Sequence, residues 1–146
     1  MRSATILVVA VALGGCGGGG DGGRLSDDEY RRRADAICAQ ANADLRALEP
    51  PGSLEAMKDF VDEAKPIAQR AVDELDELGP PADLEAAHDR WVQQNRRVVV
   101  LLGKVADAQN LPDAASNARE FDRVTKETNE TARDDLGLDA CGPENG

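Results

Sequence analysis

Aromatic residues are scarce in this chain of 146 residues: Tyr30, Phe60, Trp91 and Phe121 are 3% of it. Each falls in a different one of four segments that read as helices. Positive charge is also short, with 17 Lys+Arg against 28 Asp+Glu and a formal net charge of −11. That balance excludes a nucleic-acid binder, because phosphate contacts need a concentrated positive surface. Histidine occurs once, at His88. Glycine is rare outside one stretch, since eight of the 14 lie between Gly14 and Gly23. No segment alternates apolar and polar residues with period two, so no sheet is expected. What is present is a body rich in Ala and poor in β-branched runs, which favours helices. Apolar residues are 41% and charged ones 31%, enough for a core, and the length allows one compact domain.

The amino terminus is an address. Met1, Arg2 and Ser3 carry one positive side chain, and a ten-residue apolar run follows over 4–13. Such a run matches a signal-peptide core and falls short of the roughly 20 residues that span a bilayer. It ends in Leu13-Gly14-Gly15-Cys16, which resembles the lipobox of bacterial lipoproteins. The resemblance implies that residues 1–15 are a lipoprotein signal peptide, cut after Gly15, and that the Cys16 thiol carries diacylglycerol and becomes the new N-terminus. Two acyl chains would then anchor the protein stably at the outer, extracytoplasmic face of the cell membrane. Residues 16–25 read as the lipidated Cys and a Gly-rich tether. Its glycines lack the Gly-Lys-Ser/Thr and the preceding strand of a phosphate loop. Seven residues of such a chain reach roughly 15 Å. Cleavage would leave 16 basic against 28 acidic residues, a net charge of −12 that anionic lipid repels.

Two thiols remain, Cys38 and Cys141. An even pair in an exported chain reads as a disulfide. A metal pair or a reactive thiol would need His or Cys partners at ligand spacing, and the sequence supplies none.

Residues 26–142 read as a helical domain. Ser26-Asp27-Asp28-Glu29 is a capping box that opens the first helix, with Tyr30, Ala34, Ile37, Ala41, Leu45 and Leu48 on one face. Pro50-Pro51-Gly52 ends it, and Ser53 caps the second. There Leu54, Met57, Val61, Ala64, Ala68, Ala71, Leu75 and Leu78 form a heptad seam, with Pro66 inside it as an expected kink or lost hydrogen bond. Gly79-Pro80-Pro81 closes it. A third helix is expected from about Asp83 to Gln109, with Leu84, Ala87, Trp91, Val98, Leu102 and Val105 inward. The fourth begins at Pro112 and Asp113, shows the weaker face Ala114, Ala118, Phe121, Thr125, Thr128 and Ala132, and ends at Gly137. Short loops make neighbours antiparallel, so the expected fold is all-α, an up-down-up-down four-helix bundle. Cys38 stands about 18 Å up the first helix. The two thiols therefore meet only if the tail climbs back along that helix.

Chemistry-bearing constellations are few. Glu85-Ala-Ala-His88 is half of a di-iron motif without its second half, so His88 reads as a semi-exposed histidine near a helix start. Asp134 to Asp139 is acidic but lacks the alternating ligands of a calcium loop. Ser26 and Ser53 read as caps, and no nucleophile elbow is present. No cofactor or metal is expected, and an enzyme is not. Arg90, Arg97 and Lys104, seven apart on one helix face in an acid-free window, are a candidate face for an anionic ligand. The alternative is that acids of the second helix pair with them.

Tyr30-Arg-Arg-Arg-Ala-Asp-Ala-Ile-Cys38, the turn Leu78-Gly-Pro-Pro81 and the closing Gly137-Leu-Asp-Ala-Cys141 resemble a group of small helical lipoproteins of high-GC actinobacteria. That resemblance implies architecture and location, and no activity. Two functions fit: an envelope module that binds a protein or polymer through its surface, or a bundle that binds a small molecule between helices. Small Ala-rich seams, Pro66 and the polar core candidates Asn95, Thr125 and Thr128 motivate the second. A closed core supports the first and an internal pocket of roughly 300 Å³ or more supports the second.

Overall fold

A computed structural model describes residues 23–142. The expected signal peptide, Cys16 and the tether as far as residue 22 lie outside the described residues. Four helices follow in order: α1 (Asp27–Arg46), α2 (Leu54–Asp76), α3 (Glu85–Ala106) and α4 (Leu111–Glu130). No strand occurs among the described residues. Consecutive helices pack on one another, and the fold is a four-helix bundle.

The boundaries follow from side-chain caps. Ser26 Oγ accepts the Glu29 N–H, Ser53 Oγ accepts the Ala56 N–H, and Asn110 Oδ1 accepts the Asp113 N–H at 2.9 Å. Each satisfies one of the four donors that a helix start leaves open. α2 runs unbroken through Pro66. That residue is exposed, so the Asp62 carbonyl it deprives of an N–H lies on the outer side of the bundle.

The last turn of α4 widens into a π-turn, Thr131–Asp135. Leu136 N–H donates to the Thr131 carbonyl and Leu138 N–H to that of Ala132. Gly137 takes the left-handed φ of +66° that ends a helix without side-chain strain. The residues on either side of it, Leu136 and Leu138, are fully buried. From there the tail climbs α1. Arg31 Nε donates to the Leu136 carbonyl, Asp35 Oδ1 accepts the Ala140 N–H, and Asn42 Nδ2 donates to the Ala140 carbonyl. Residues 31, 35, 38 and 42 share one helix face by their spacing. Cys38 and Cys141 form the expected disulfide, with Cα atoms 5.1 Å apart across 103 residues of sequence.

Two expected faces are corrected. On α3 the deeply buried residues are His88, Trp91, Val92, Val99 and Leu101, while Val98, Leu102 and Val105 are half-buried. α3 packs against both α2 and α4, so it buries a broad arc rather than one stripe. On α4, Val124 is buried beside Thr128 and Ala132, a position the expected face omitted.

Candidate functional site

The first and last helices do not close on each other. Among the described residues α1 makes no close backbone approach to α3 or α4. The tail from Leu136 to Gly142 spans the gap at one end as a strap. Beside it lies a cleft of about 500 Å³, reached by all four helices. Its α1 and α2 walls carry the small or aliphatic Ala41, Leu45, Ala68 and Ala71, with the polar Asn42 and Arg46 on α1. Small side chains on the facing seams leave the space that Leu or Phe would fill. Its α3 and α4 walls carry Trp91, Asn95, Val98, Val99, Thr125 and Asn129, and the strap adds Cys141 and Gly142.

Polar groups on this wall are partly engaged. Asn95 Nδ2 donates to the Trp91 carbonyl at 3.0 Å, a bond within α3. Thr128 Oγ1 turns back to the Val124 carbonyl at 2.7 Å, so that core candidate is satisfied inside its own helix. Trp91 Nε1 and Thr125 Oγ1 are buried without a hydrogen-bond partner among the described residues. Leaving such a group unpaired costs about 1–3 kcal/mol. The cleft lining includes no Asp, Glu, His or Lys, and its charged member is Arg46.

Behind Trp91 lies His88, which the sequence placed at a semi-exposed position. It is 3% exposed. Tyr30 Oη and His88 Nδ1 meet at 2.9 Å, the rings in an edge-on arrangement, and His88 contacts the Trp91 ring in turn. Burial pushes the imidazole below its ordinary 6.5, an effect that the Asp89 and Asp76 charges oppose. Burial also raises the Tyr30 phenol to about 12. The pair is thus neutral at pH 7 and structural. The spacing Leu84, His88, Trp91, Asn95 already runs at helical period, but a polar letter at 88 and the neighbouring acid hid it.

The basic residues of α3 do not converge. Arg90 pairs with Asp135 at 2.7 Å and Arg97 with Glu120 at 2.5 Å. Their partners come from α4 and its terminal π-turn, not from α2 as the sequence suggested. Arg96 instead takes the α2 acid Asp76. The Arg97 guanidinium holds the Glu120 carboxyl below its usual range. Lys104 lines a surface hollow with Asp107, Asp113 and Asn117, and its charge adds to that of Arg97 in lowering Glu120. Among the described residues, no group of three or more His, Cys, Asp or Glu side chains is placed to hold a metal ion.

Compared with family models, with curated proteins and with solved structures, the chain matches none.

Proposed function

We propose that this protein is a lipid-anchored, extracytoplasmic binding module, non-enzymatic, whose cleft holds a small, largely apolar molecule. The cleft of about 500 Å³ carries this reading. It exceeds the roughly 300 Å³ above which pockets accommodate small ligands. It therefore favours small-molecule binding over recognition of an envelope protein or polymer through the outer surface. The lining favours binding over catalysis: its cysteines are bonded to each other, and it offers no carboxylate or imidazole for proton transfer. The anchor rests on the Leu13-Gly-Gly-Cys16 sequence after the apolar run.

Filling the cleft tests the reading. Ala71→Phe adds a ring to a half-buried wall position of α2. Protein extracted gently from membranes should carry a bound small molecule by native mass spectrometry. The variant should lose that mass while keeping its helical circular dichroism. Wild-type protein that carries no adduct, and no apolar probe that Ala71→Phe excludes, would count against the cleft as a ligand site.

A further inference from the structure

The two halves of α1 are held differently. Its fully buried residues, Tyr30 and Ala34, both fall in the first half of the helix. From Cys38 to Arg46, the half that forms a wall of the cleft, no residue is fully buried. A small hollow lies between this half and α2, with Ile37, Ala41, Ile67 and Ala71 in its lining. Few buried apolar contacts mean a low cost of local opening.

The strap ties this half across the cleft. Asn42 Nδ2 donates to the Ala140 carbonyl at 3.1 Å, and Cys38 is bonded to Cys141. Arg46, exposed at the far end, has a partner as well. The strap itself is seated at its start, where Leu136 and Leu138 are fully buried. Residues 139–142 bury no side chain fully.

The disulfide is within reach of a reductant. Cys38 and Cys141 are both half-buried, and both line the cleft. No carboxylate shares that lining, and Arg46 does. An attacking thiolate therefore meets no fixed negative charge on the cleft wall, although the chain as a whole is acidic.

We propose that the Cys38–Cys141 disulfide is a redox latch on the cleft, opened by an extracytoplasmic dithiol protein. One thiolate of the dithiol attacks a half-cystine sulfur, the S–S bond breaks and a mixed disulfide forms. The second thiol of the dithiol then displaces the bound cysteine. The dithiol ends as a disulfide, and its two electrons and two protons end on Cys38 and Cys141. Strap residues 139–142 and the second half of α1 then part, while the first half of α1, α2, α3 and α4 stay packed. That the latch governs entry or release of a ligand rests on the cleft being a ligand site; the opening itself does not.

Trp91 reports the opening. It is the one Trp of the chain, lines the cleft and is 1% exposed. The chain from residue 16 onward, carrying Cys16→Ser so that no lipid or third thiol interferes, contains every described residue. Acrylamide should quench its fluorescence weakly in the oxidised protein. Quenching should rise severalfold once dithiothreitol has reduced the bond, with far-ultraviolet circular dichroism unchanged. Reoxidation should restore protection. Cys38→Ala with Cys141→Ala should be quenched like reduced wild type, with or without dithiothreitol. Quenching that stays at the oxidised level while both thiols titrate as free would overturn the latch. Loss of the helical signal on reduction would overturn it too, as would a bond that dithiothreitol reduces only in unfolded protein. None of these measurements needs a ligand, so failure of the latch leaves the binding reading standing, and a cleft that binds nothing leaves the latch standing.

Discussion

Tyr30 and His88 lie 58 residues apart in sequence and share one buried hydrogen bond. Removing one partner strands the other. Tyr30→Phe should therefore lower stability by about 1–3 kcal/mol, read as a shift in the urea midpoint. The same pair sets a pH dependence. The unfolded chain takes up a proton on His88 near pH 6.5, whereas burial makes the folded chain resist it until lower pH. Stability from this group is thus complete above 6.5 and declines as the pH falls below it. The melting temperature should fall between pH 7.5 and pH 5, and His88→Phe should flatten that segment of the curve. An unchanged slope in the variant would assign the effect to other groups. Gly137 makes a second residue-scale case. Its φ of +66° disfavours any side chain, and an added Cβ would stand 3.1 Å from Arg31 Nε. Gly137→Ala should cost about 1 kcal/mol or more in a denaturant titration.

The strap is the element on which closure of the bundle depends. Helix α1 is held by α2 on one side and by the strap on the other, through Leu136, Ala140 and the disulfide. Burying Leu136 and Leu138 contributes about 1.5–3 kcal/mol each. Cys38→Ser with Cys141→Ser should lower stability by about 2–5 kcal/mol without changing helical content. Amide hydrogen exchange locates the loss. Protection should fall first in the strap and in the π-turn of α4, while the central turns of α2 and α3 stay protected. Uniform loss across all four helices would show that the strap is no separate unit.

For the whole molecule, the entry point of the chain fixes which end faces the tether. Leu25 N–H donates to the Gly79 carbonyl at 2.8 Å, and Arg24 pairs with Glu85. The chain therefore enters at the end formed by the turn between α2 and α3. A Cβ at Gly79 would lie 2.6 Å from the Gly23 carbonyl oxygen, so the approach is backbone against backbone. If Cys16 is lipidated, that end lies nearest the bilayer and the turns α1–α2 and α3–α4 point away. Cys16→Ser should move the protein from the detergent phase to the aqueous phase on cloud-point extraction. Retention in detergent equal to wild type would sink the anchor. The paired guanidinium groups at Arg90, Arg96 and Arg97 are exposed, and pairs of that kind contribute little to folding.

Local chemistry decided much of this protein before any folding. Capping side chains at Ser26 and Ser53, the Pro50-Pro51-Gly52 and Gly79-Pro80-Pro81 breaks and the terminal Gly137 set four helices to within a few residues. Each is a contact between residues near in sequence, so a linear reading suffices. The even pair of cysteines likewise left one partner for each. Tertiary structure alone decided which arc of α3 is buried, because a helix with two neighbours buries two sides, and its polar His88 meets Tyr30 of α1. It alone sent Arg90 and Arg97 to acids of α4 and its terminal turn. The cleft is the least legible feature, although Asn95 and Thr125 read as polar core candidates in the sequence. It lies in the gap that α1 leaves toward α4, and the strap fixes the place of α1 through bonds spanning about 100 residues of chain.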